Sequence, residues 1–179
     1  MKRKICLLFL CISLLSFCFS NENTEFDLYT FLENPFLETN MYPRIFDSYL
    51  DFEKHFKNDT FEISSEILQN KYGEQHNNVR YRLEKNNILL VYLYSGYNGK
   101  CFLDLLSIVP NEKNALKYGF YKGMSESSVI DICGKIFHKQ NFKTNYELCY
   151  DDNGIWQINF SFDNTTNELI GVNIWYEVD

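Results

Sequence analysis

The stretch Ile155-Trp156-Gln157-Ile158-Asn159-Phe160-Ser161-Phe162 decides the fold. Trp156, Ile158, Phe160 and Phe162 alternate with Gln157, Asn159 and Ser161, the period-two pattern of a strand with one buried face. Upstream, Tyr146 to Tyr150 reads as a strand, joined to the first by a turn at Asp152-Asn153-Gly154. Downstream, the polar turn Asp163 to Asn167 leads into a third strand, Leu169 to Val178. Ahead of all three, Ser125 caps a predicted helix whose Val129, Ile132 and Cys133 share one side and whose end is marked by Gly134.

The first half follows the same order. Ser48 heads a predicted helix carrying Phe52, His55 and Phe56 at the same offsets. After a longer insert come a strand at Val79 to Glu84, a turn at Asn86-Asn87, a strand at Ile88 to Tyr94, a turn at Gly96 to Gly99 and a strand at Cys101 to Val109. Asn111 to Lys117 reads as the connector between the halves. Asn21 to Asn40 reads as a helical lead-in, with Phe26, Tyr29 and Leu32 at helical spacing, bounded by Pro35 and Pro43. The expected fold is α+β: two tandem helix-plus-antiparallel-sheet repeats, with the helices packed on one sheet face. The boundaries are 1–20 for a signal peptide, 21–117 for the lead-in and first repeat, and 118–179 for the second repeat.

The leader assignment rests on Lys2-Arg3-Lys4, the apolar run Ile5 to Phe19 and the small Ser20. The run is short for a membrane span. Its removal takes away three basic residues and no acidic one, so the net charge of −7 becomes −10. A basic stripe for nucleic acid is lacking, and an anionic membrane surface is disfavoured for the same reason. Cys101, Cys133 and Cys149 remain, an odd number that fits one disulfide plus a thiol or three buried thiols. Cys18, at the end of the apolar run after Leu15-Ser16-Phe17, offers an alternative: lipidation, which would anchor the chain in a cell envelope.

The segment Lys122-Gly123-Met124-Ser125-Glu126-Ser127-Ser128-Val129-Ile130-Asp131-Ile132-Cys133-Gly134 resembles two related families. One comprises the secreted β-lactamase-inhibitor proteins, built from two tandem helix-plus-four-stranded-sheet repeats. The other comprises the small lipoproteins of the outer-membrane barrel-assembly machinery, which carry one such unit. The likeness covers Tyr118 to Asp179; earlier, Tyr42-Pro43-Arg44-Ile45-Phe46-Asp47-Ser48 stands where the Gly-Met-Ser entry would be. The resemblance implies the repeat fold, a role in protein binding, and a disulfide between the helix end and the next strand, near Cys133 and Cys149. The loop and concave-sheet positions through which the inhibitors bind have no match, so β-lactamase inhibition is not implied. The motif itself reads as structural: Gly123 for a close backbone approach, Met124 as an apolar plug, Ser125 as a cap.

Candidate chemistry is sparse. His55, His76 and His138 are isolated, with no metal-ligand spacing, so no metal is expected. No nucleophile elbow, phosphate loop or dinucleotide fingerprint occurs, and Asp151 and Asp152 read as turn formers beside Asn153-Gly154. No catalytic or cofactor-binding residue is expected. Apolar surplus is the informative feature. If Leu89, Val91 and Leu93 face the core, then Leu90, Tyr92 and Tyr94 face outward and Trp175 joins them, with Tyr97 in the following turn. Tyr92, Tyr94, Tyr97 and Trp175 are therefore the partner-binding candidates. The expected function is an exported, non-enzymatic protein-binding module, periplasmic or secreted. The alternatives are an envelope lipoprotein with an assembly role and, less favoured, a small hydrolase without a recognisable motif.

Overall fold

The computed structural model describes residues 25–37, 42–68, 78–111, 116–134, 138–151 and 156–176. Among them are three short helices, α1 (Leu28–Glu33), α2 (Tyr49–Phe56) and α3 (Glu126–Cys133). The nine strands are β1 (Ile45–Phe46), β2 (Glu62–Leu68), β3 (Asn78–Lys85), β4 (Ile88–Tyr94), β5 (Cys101–Ile108), β6 (His138–Asn141), β7 (Asn145–Asp151), β8 (Trp156–Asp163) and β9 (Leu169–Tyr176). All pair antiparallel in one sheet of order β2-β3-β4-β5-β9-β8-β7-β6, with β1 added beside β5.

That architecture corrects the expectation of two tandem helix-plus-sheet repeats. The described residues are dominated by a single nine-stranded antiparallel sheet, and the helices among them run only six or eight residues. The reason lies at the seam. β5 and β9 pair from Leu105 opposite Trp175 to Ile108 opposite Val172, so two strand edges that would each leave backbone groups unpaired satisfy one another. Beneath the seam the apolar residues form one cluster, in which Leu83, Leu90 and Leu106 join Ile158, Phe160 and Ile174.

Local signals operate as their chemistry requires. Ser125 Oγ accepts a hydrogen bond from the Ser128 N–H at 3.2 Å, and Ser48 Oγ accepts from Asp51 N–H at 3.1 Å, each supplying an acceptor that the first helical turn lacks. Gly134 closes α3 with φ +72°, a conformation that side chains resist. Gly123 is also left-handed, at φ +92°, but no atom lies within 4 Å of where its Cβ would stand; it is needed for backbone direction rather than close approach. In α1, capped by Asp27, the buried residues are Leu28, Phe31 and Leu32, and Tyr29 of the expected stripe is exposed. The register of that six-residue helix is set by its packing under Tyr118 and Phe120, to which Phe31 is adjacent.

The helices cover one sheet face. Phe52 and Phe56 of α2 lie over Tyr92, with ring centroids 5.3 and 5.7 Å away, and Phe120 ahead of α3 lies 4.9 Å from Phe160. Such contacts add about 0.5–1.5 kcal/mol each to the area they bury. No helix among the described residues is long and apolar enough to cross a membrane. The leader, Cys18, His76, and the turn residues Asp152-Asn153-Gly154 lie outside the described residues.

Candidate functional site

Strand register determines what the uncovered sheet face presents. Across it, one row runs Arg82, Val91, Leu105, Trp175 and Gln157, and the adjacent row runs Glu84, Leu89, Ser107, Asn173, Asn159 and Cys149. Leu93 and Phe102 form a third pair beside Arg80. The face is thus divided. Toward β4 and β5 it is apolar, and toward β7 and β8 it is amide, hydroxyl and carboxylate.

Trp175 stands at the division, 45% exposed, between Leu105 and Gln157. A β-bulge at Val91/Tyr92 gives β5 one extra residue, Asp104, beside this apolar ground. Burial pushes the Asp104 carboxyl upward from its ordinary value, and the positive charge of Arg80 opposes that in part. A carboxylate in such surroundings gains if a cation is brought to it.

The polar half is a connected network. Glu147 accepts from Asn159 Nδ2 at 2.8 Å and from Ser161 Oγ at 3.0 Å, with Asn173 Nδ2 at 3.5 Å. Gln157 Nε2 donates to Asn159 Oδ1 at 2.8 Å, Asn173 Nδ2 to Ser161 Oγ at 3.2 Å, and Ser107 Oγ to Asn173 Oδ1 at 2.6 Å. These bonds tie β5, β7, β8 and β9 together from the open side. Among the described residues Asn159 and Ser161 are the buried polar ones, and no buried side-chain polar atom lacks a partner. Networks satisfied in this way hold side chains in fixed positions. Sequence reasoning missed these residues because Gln157, Asn159 and Ser161 read simply as the solvated side of an alternating strand. The available signal was that Glu147 and Asn173 fall on the same side of neighbouring strands.

The four aromatic candidates do not converge. Tyr92 is fully buried on the helix side, its hydroxyl donating to the Pro43 carbonyl at 2.8 Å, and so lies on the opposite face from the one expected. Tyr94 is half-buried on that side too, its ring 6.1 Å from Tyr49. β4 is apolar at every position, so alternation gives its residues no preferred face; the pairing of Leu83 with Leu90 places Ile88, Leu90 and Tyr92 inward, leaving Leu89, Val91 and Leu93 outward. Tyr97 is 87% exposed at the tip of the loop between β4 and β5, away from Trp175. Trp175 does face outward.

The disulfide implied for Cys133 and Cys149 is absent: Cys101, Cys133 and Cys149 are all thiols. Cys133 belongs to the core under α3, whereas Cys149 sits opposite Asn159 on the other side of the sheet, so the sheet itself separates the two sulfurs. Burial pushes the Cys133 thiol up to about 12 and the Cys101 thiol up to about 11, which suppresses the reactive thiolate. Among the described residues no three His, Cys, Asp or Glu side chains converge as a ligand set. His55 packs its ring against Phe46 and Phe56, and His138 is exposed on β6. No known protein family, curated protein or solved structure matches the chain.

Proposed function

We propose that the chain is an exported, non-enzymatic protein-binding module, whose partner docks on the uncovered sheet face around Trp175. One observation carries this reading: a half-exposed tryptophan on a central strand, paired with Leu105 and with Val91 beyond it in the same row, next to a polar network whose atoms are already hydrogen-bonded. A large aromatic anchor with apolar neighbours and a polar surround is the composition of a protein interface. Because the network is satisfied internally, it supplies a rigid platform rather than a reacting group. Strands hold such a surface with little ordering cost on binding.

Export rests on Lys2-Arg3-Lys4 and the apolar run that follows. Release and anchoring through Cys18 are separated by mass spectrometry of the mature N-terminus: a free Asn21 supports release, and an acylated Cys18 supports an envelope lipoprotein. The binding reading is tested by capture from the native envelope and medium with Trp175→Ala. The variant keeps its circular dichroism spectrum and lowers recovery of a specific partner by about tenfold or more. Recovery equal to the parent protein overturns the assignment of this face.

A further inference from the structure

The two ends of the sheet are built differently. β6 ends it with four polar exposed residues, His138-Lys139-Gln140-Asn141, an edge that resists further pairing. β2 ends it with seven residues, Glu62-Ile63-Ser64-Ser65-Glu66-Ile67-Leu68, and carries neither Lys nor Pro. Its register on β3 sets Ile63 opposite Leu83, Ser65 opposite Tyr81 and Ile67 opposite Val79, so these three point to the helix side. Yet α2 stops short of them. Ile63 is 53% exposed and Ile67 62% exposed. Between α2 and β2 lies a groove of about 690 Å³, bordered by the apolar Leu50, Phe61 and Ile63 and by the charged Glu53, Lys54 and Lys57, with Leu50 71% exposed. A seven-residue strand whose outer edge is unpaired among the described residues, with an apolar strip beside it, is a template for another strand.

We infer that β2 pairs antiparallel with β2 of a second copy of this chain, about a two-fold axis through Ser65, so that one sheet runs through the dimer. The order of residues along the strand selects a second copy over a foreign strand, because it is self-complementary. With Ser65 facing its own equivalent, Ile63 of each copy stands opposite Ile67 of the other, and the two pairs form one apolar strip on the helix side. On the other side Ser64 stands opposite Glu66 and Glu62 opposite Leu68, so no two carboxylates meet. Neighbouring registers lose this match. Moving the axis to Ser64 sets Glu62 against Glu66, and moving it to Glu66 sets Glu66 against its own equivalent; both put like charges directly opposite and separate the isoleucines. The groove beside β2 lies where the second copy would cover it, adding Leu50 and Tyr49 to the buried area.

The purified protein is followed by analytical ultracentrifugation through a dilution series, where the expected mass is that of two chains. Ile67→Lys places a charge in both symmetric contacts and raises the dimer dissociation constant about a hundredfold or more, with the circular dichroism spectrum retained. Ser65→Cys supplies a second measurement. The two-fold brings the two Cα atoms within about 4.5–5.5 Å, a separation that a disulfide can bridge under mild oxidation. Glu62→Cys does not cross-link, because its equivalents lie at opposite ends of the paired strands. The three native thiols among the described residues are buried and do not compete. Cross-linking at residue 65 alone, together with the loss of dimer in Ile67→Lys, supports the pairing. A monomer at every concentration, a dimer indifferent to Ile67→Lys, or equal cross-linking of both cysteine variants overturns it. Trp175→Ala leaves the dimer intact, so this inference and the binding face fail separately.

Discussion

Replacing Glu147 with Ala removes the carboxylate on which the polar half of the open face converges. Two well-formed bonds disappear, from Asn159 Nδ2 at 2.8 Å and Ser161 Oγ at 3.0 Å, and a longer one from Asn173 at 3.5 Å. A hydrogen bond to a charged group contributes about 1.5–3 kcal/mol, and a buried donor left without its acceptor costs about as much as was gained. The donors here are nearly buried, but the face is open and water can replace part of the loss, which brings the expected destabilisation to about 2–4 kcal/mol. For a chain of this size that corresponds to a fall in Tm of about 5–15 °C. Urea denaturation of Glu147→Ala, Glu147→Gln and Asn159→Ala, with the double variant Glu147→Ala/Asn159→Ala, measures it. Glu147→Gln keeps one acceptor and loses about half as much, and the cycle gives a coupling of about 1 kcal/mol or more. A loss under about 0.5 kcal/mol with no coupling would mean that the network is incidental, and the rigid platform argued for the binding face would go with it.

Tyr92→Phe keeps the ring among Phe46, Phe52 and Phe56 and loses only the bond to the Pro43 carbonyl, so it costs about 1 kcal/mol in chemical denaturation, against about 4 kcal/mol for Tyr92→Ala. Asp59 responds to pH. Burial alone would raise its carboxyl, but the hydrogen bond from Lys85, the Thr60 N–H at 2.7 Å and the Lys85 charge together hold it below its ordinary value. A lowered folded value means stability that is present above the unfolded pKa of about 3.9 and is lost as pH falls through the folded value. Asp59→Asn therefore flattens the acid limb of a Tm-against-pH profile, and an unchanged limb contradicts that assignment. Asp104 has the opposite sign. With its carboxyl raised, stability is gained as pH falls, so Asp104→Asn raises Tm at neutral pH by a small margin that vanishes in acid, unless a partner's cation is bound there.

Several elements are legible in the sequence. Ser48 and Ser125 are caps because a hydroxyl at those positions meets an N–H that the first helical turn leaves bare. β8 could be read because Ile158, Phe160 and Phe162 alternate with polar residues, and that chemistry is local. β2 and β6 escaped because Ile63 and Ile67 are its only clear signal in β2, and β6 has no apolar residue at all. What makes these segments strands is the neighbour each pairs with.

The candidate site was less legible than the fold. Trp175 reads as outward because Ile174 and Tyr176 on either side of it are core residues. Tyr92 is buried against the expectation, since a strand that is apolar on both sides carries no parity of its own. The sequence by itself determined that β8 alternates, that Ser48 and Ser125 cap helices, and that apolar surface exceeds what one face can hide, for these follow from residues a few positions apart. Tertiary structure alone decided that the strands join across β5 and β9, which side of β4 is inside, and that Cys133 and Cys149 lie on opposite sides of a sheet. Those outcomes depend on which strands pair and in what register, where hydrogen bonding between elements outweighs any preference within one.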